Sequence, residues 1–169
     1  MPAISSPALA ALAAGALVAT IVDVRTRRIP NELTAAMAVT GLGLAATGMS
    51  GVSLLGSAIG LALGFALMLP GHIFGGTGAG DVKLMAAIGA IVGPATVVTA
   101  FFFTAIAGGV LAIVVAAQRR RLGTTLAGTG KLIAAPISGA DGPAEPIAAR
   151  RFAYGPAIAI GSVLAGIVG

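Results

Sequence analysis

Apolar residues run along this chain in unbroken blocks, parted by short breaks of glycine or charge. Blocks fall at residues 4–22, 33–49 and 52–69, each near the roughly 20 residues that a helix needs to cross a bilayer. A fourth block, 82–117, would measure about 54 Å as one helix, nearly twice the hydrocarbon thickness. Gly93-Pro94 is its obvious break, predicting a short fourth helix over 82–92 and a fifth over 95–117. A last block, 154–168, predicts a sixth. Between the third and fourth blocks, residues 70–80 are too rich in glycine to continue a helix and read as a loop ending at Asp81. Before the second block, Pro30 disfavours helix at Ile29, Asn31 is a good N-cap, and Glu32 complements the dipole of the first turn.

Composition turns these blocks into a fold class. The chain is 57% apolar and 9% charged with a mean hydropathy of +1.05, far outside the soluble globular range. The expectation is an all-α polytopic membrane protein, a bundle of six transmembrane helices forming a single domain over 1–169, with 118–153 as a cytoplasmic loop. Arg25, Arg27 and Arg28 follow the first apolar block rather than precede it, which argues against a signal peptide. Six spans with the N-terminus outside put all ten Lys and Arg residues on the cytoplasmic side, as the positive-inside rule asks of an inner-membrane protein. These basic clusters orient helices and touch anionic lipid, so the net charge of +5 does not point to nucleic acid. The absence of Cys excludes disulfides, thiolate zinc sites and a cysteine nucleophile, and a single histidine, His72, excludes a multi-histidine metal site. No metal or other cofactor is expected.

Against this background the acidic residues stand out. Asp23 and Asp81 are two of only five, each set where an apolar block meets a polar turn, and ionisable groups at membrane depth mark functional sites by default. Two carboxylates on separate helices can share one proton and activate a water. The plainer readings are an interfacial ion pair of Asp23 with the arginines and an ordinary helix cap at Asp81. Gly78 and Gly80 permit positive φ or close approach of a backbone, which would let an extended peptide lie beside Asp81. On that reading Gly80→Ala is more harmful than Gly75→Ala. Lys83 either holds Asp81 by charge or snorkels to the interface. Gly75 and Gly80 have the spacing of a P-loop, but Asp81-Val82 stands where Lys and Ser or Thr must be. Gly56, Gly60 and Gly64 suit close helix packing.

Gly78-Ala79-Gly80-Asp81, followed by Val82-Lys83-Leu84-Met85, and Asp23, followed by Arg28-Ile29-Pro30-Asn31 and Thr34, together resemble the type IV prepilin peptidase family of Gly-x-Gly-Asp membrane aspartyl proteases. Arg151-Phe152-Ala153-Tyr154-Gly155-Pro156 is similar to the family's motif at the start of its last helix. The resemblance implies an endopeptidase that removes the basic leader from prepilin-like precursors at the cytoplasmic face. Asp23 and Asp81 would be catalytic, Gly78 and Gly80 would lie beside the substrate, and Pro30, Asn31 and Lys83 would support them. One aspartate would take a proton from water while the other, protonated, donates to the scissile carbonyl; which is which stays open, because such a pair titrates as a unit. The chain looks most like the short Flp-type members, since it has neither cysteine nor room for the insertion of the bifunctional ones, and methyltransferase activity is not expected. Two rival classes remain: a small transporter or channel subunit in which the aspartates bind a cation or relay protons, and an idle scaffold of a secretion machine.

Overall fold

The computed structural model describes residues 4–118 and 154–168. Those residues form five helices and no strand: α1 (Ser6–Thr26), α2 (Asn31–Ala46), α3 (Leu54–Ile73), α4 (Ala79–Gln118) and α5 (Gly155–Val168). Three stretches are long and apolar enough to cross a membrane: Ser6–Thr26, Leu54–Ile73 and Ala79–Val110. The all-helical membrane fold is as expected, whereas the count of six helices is not what the described residues show. The expected fourth and fifth helices are one element, α4, because a single residue separates them. Gly93 alone leaves helical geometry (φ 80°, ψ 177°), a conformation open to glycine, and Pro94 restarts the helix at once. The expected loop 118–153, apart from its first residue, lies outside the described residues.

Local chemistry sets the helix ends. Pro7 enters α1 in its first turn, where its missing N–H costs nothing, and α1 runs through Asp23 to Arg27 in the left-handed conformation (φ 52°), whose N–H bonds the Asp23 carbonyl. The N-cap of α2 is Pro30, not Asn31; Asn31 is the first helical residue and leaves the cap without a side-chain bond. Ser53 caps α3, its hydroxyl accepting from the Gly56 N–H at 3.0 Å. α3 does not stop before Pro70 as expected. The φ of proline suits a helix, the Pro70 carbonyl still accepts from Phe74, and the chain turns only at Gly75 (φ 74°).

The direction of each half of α4 follows from what it touches. Gly60 of α3 lies against Gly89 and Gly64 against Met85, with backbone on backbone where any Cβ would collide. Residues 79–92 therefore run antiparallel to α3, and Gly93 comes to rest beside Val52 at the start of α3. Beyond the break, Gly161 of α5 packs on Thr104, and Gly108 packs on the ring of Tyr154 just before α5. Since α5 starts beside Asp23 and ends near Leu9 and Leu12, the second half of α4 runs back toward Asp23. Gly93 thus reverses the chain. The first half, 81–92, is buried on every side except at Lys83, which is why its sequence is apolar all round. Leu84, Met85, Ile88 and Ile91 form the middle of the core with Leu12, Met37 and Met68.

The reversal leaves a polar debt that α3 settles. Pro94 has no N–H, so the carbonyl four residues back, Ala90, has no helical donor. The hydroxyl of Ser57, fully buried on α3, donates to that carbonyl.

Candidate active site

The end of α1, the start of α2, the end of α3 and the starts of α4 and α5 meet at one end of the bundle. Asp23, in the last turn of α1, and Asp81, in the first turn of α4, are both buried there, 6% and 7% exposed. The structure thus brings together two acidic side chains that lie 58 residues apart in the chain, counting from 23 to 81.

Each is held in the same way. The Gly78 N–H donates to Asp81 Oδ2 at 3.0 Å, and the Gly155 N–H donates to Asp23 Oδ2 at 2.9 Å. Gly78 is the residue before the first turn of α4, and Asp81 reaches back to it from the third helical position, as an acidic side chain does in a capping box. Asp81 therefore does cap its helix, though from inside it rather than as the N-cap. Gly155 begins α5, so the positive end of that helix dipole faces Asp23. Among the described residues no hydrogen bond reaches Oδ1 of either aspartate, which leaves one oxygen of each for water or substrate. The arginines that follow Asp23 are exposed, and its carboxylate bonds to a backbone N–H from the far end of the chain. The ion-pair reading of Asp23 does not hold for these residues.

The expected supporting residues divide. Lys83 Nζ donates to Asn31 Oδ1 at 2.8 Å, so these two residues tie α4 to α2. Lys83 holds Asn31 rather than Asp81. Pro30 shapes the entry to α2, and the preceding Ile29 is buried against Gly80, where a Cβ would lie 3.1 Å from that of Ile29. Gly80 is helical and its close neighbour is Ile29; positive φ in this loop belongs to Gly75. His72 Nδ1 donates to the Thr77 carbonyl at 3.0 Å, and Gly76 and Thr77 donate to the Gly71 carbonyl, folding the loop back onto α3. His72 is exposed, and its ring bonds within its own loop.

Two residues of this end were not assigned a role from sequence. Gly155 touches Asp23, and Tyr154 packs its ring on Gly108. The signal that could have found them was Tyr154-Gly155-Pro156, where a glycine precedes a helix-starting proline.

Comparison with known proteins gives one match. The model of the type IV leader peptidase family matches residues 10–113, which include α2, α3 and both aspartates. No curated protein and no solved structure matches the chain.

Proposed function

The chain belongs to the type IV leader peptidase family, and from that premise we propose that it is a membrane-embedded aspartyl endopeptidase with Asp23 and Asp81 as its catalytic pair. The observation that supports this reading best is the matched setting of the two carboxyls. Both are buried at one end of the bundle, both are tied through Oδ2 to a glycine N–H, and both keep Oδ1 for a reacting water or carbonyl. Such a pair works with one carboxyl ionised and the other protonated. The charged member takes a proton from water as that water attacks the scissile carbonyl, and the protonated member donates to the carbonyl oxygen.

The substrates are prepilin-like precursors of the Flp type. Their basic leader stays in the cytoplasm, and the apolar segment that follows lies in the membrane. Gly78 gives the extended peptide backbone room beside Asp81, while Gly80 lets the start of α4 pack closely on Ile29. The protein crosses the inner membrane six times, counting α4 as two crossings, with the N-terminus outside, the aspartates at the cytoplasmic face, and the basic residues in contact with anionic lipid.

Co-expression with candidate precursors, with the mature N-terminus read by mass spectrometry, tests the activity. Asp23→Asn and Asp81→Asn should each abolish cleavage while the protein still inserts; near wild-type cleavage by either variant removes that residue from the mechanism. Orientation is tested by single cysteines in this Cys-free chain. Ser50 is fully buried and unsuited to labelling, whereas its neighbour Met49 and the loop residue Phe74 are exposed. Met49→Cys should react from outside the cell and Phe74→Cys only after permeabilisation.

A further inference from the structure

We propose that Gly155 is a positioning residue for the proposed reaction: its N–H and its lack of a Cβ together hold the Asp23 carboxyl in register with Asp81. The inference rests on the peptidase reading but concerns a residue beyond the stretch that matches the family. The bond from Gly155 N to Asp23 Oδ2 is buried and joins residues 132 positions apart. Its geometry leaves no alternative side chain. A Cβ at Gly155 would sit 2.7 Å from Oδ2, 2.9 Å from the Asp23 Cβ and 3.1 Å from its carboxyl carbon, so any other residue pushes the whole Asp23 side chain away.

Asp23 needs an outside partner because its own helix offers none. It lies in the last turn of α1, where the dipole is negative and the backbone presents carbonyls rather than N–H groups. Asp81, at the start of α4, finds its donor in the residue three positions earlier. The start of α5 supplies to Asp23 what the start of α4 supplies to Asp81. Seating α5 is the task of neighbouring contacts: Tyr154 against Gly108, Gly161 against Thr104, and Gly166 against Leu9 and Leu12.

The direct test reads the bond itself. The chain has one tyrosine, so labelling with carbonyl-13C tyrosine and 15N glycine leaves a single Tyr-Gly amide, that of Gly155, visible by NMR in micelles. Its proton shift should titrate with the ionisation of Asp23, and Asp23→Asn should abolish that titration. A shift that stays flat with pH in the wild type, or titrates unchanged in Asp23→Asn, overturns the proposal whatever the protein cleaves. The functional arm uses Gly155→Ala, which should lower precursor cleavage by about 100-fold, the scale expected when a reacting group is misplaced by about 1 Å. Gly109→Ala, at a position with open space around it, should cleave as wild type. Gly155→Ala cleaving at the wild-type rate would sink the positioning role. A wild-type protein that cleaves no precursor would instead count against the peptidase reading, leaving the titration to decide on the bond.

Discussion

Ser57 and Ser162 make an internally controlled test of how α4 is broken. Both are fully buried, and both donate a hydroxyl to a backbone carbonyl. The bond of Ser162 goes to Ile158, four residues back in its own helix, whose carbonyl already has the Ser162 N–H. The bond of Ser57 goes to Ala90, whose helical donor would be the N–H that Pro94 lacks. Ser57→Ala therefore strands a buried carbonyl, at about 1–3 kcal/mol by the usual cost of an unsatisfied group. Interhelical hydrogen bonds in membranes average about 0.6 kcal/mol and reach about 1.7, because the separated helices find other partners. Pro94 removes the helical donor to Ala90, so a loss of about 1–2 kcal/mol is expected. Ser162→Ala should lose under about 0.5 kcal/mol, as for a substitution that strands nothing. Unfolding of both variants by SDS in mixed micelles, followed by far-UV circular dichroism, measures the difference. Equal losses, or a neutral Ser57→Ala, would refute the claim that α3 completes the broken helix.

Gly60→Ala should cost about 1–3 kcal/mol by forcing α3 off the Gly89 backbone, whereas Gly43→Ala, with open space around it, should be neutral or stabilise by up to about 1 kcal/mol; thermal unfolding in detergent compares them. Gly93→Ala places a side chain at φ 80° and 3.1 Å from Val52, so it should destabilise by about 1–3 kcal/mol in the same assay. In the loop, Gly75→Ala should lower stability by about 1 kcal/mol through its positive φ. Gly80→Ala should instead lower cleavage more than stability, since it presses on Ile29 beside Asp81. Cleavage rates at matched protein levels separate the two.

Much of the fold was legible because lipid leaves few options: apolar block length gave the spans, and Gly93-Pro94 gave the break. The aspartate pair was legible for the same reason, since a carboxylate beside an apolar block calls for an explanation. What escaped was set by partners distant in sequence. The helix α3 outran Pro70 because a single proline in a last turn does not end a helix whose next carbonyls still find donors. Asn31 was read as a cap from its type, but Lys83, 52 residues on, takes its side chain, and Pro30 fills the cap position. The hold of Gly155 on Asp23 could not be seen from either motif alone, because a backbone N–H carries no residue signature.

The reversal at Gly93 also bears on how the protein enters the bilayer. The first half of α4 is too short to be retained as a separate span, and between residues 82 and 117 the only charge is Lys83, near its start. The turn Gly93-Pro94-Ala95 carries no polar side chain to drag across the hydrocarbon. Both halves can therefore insert together as one hairpin. By the time the orphaned Ala90 carbonyl reaches the apolar phase, the ribosome has already delivered Ser57, so the order of synthesis places the donor in the membrane before the acceptor that needs it.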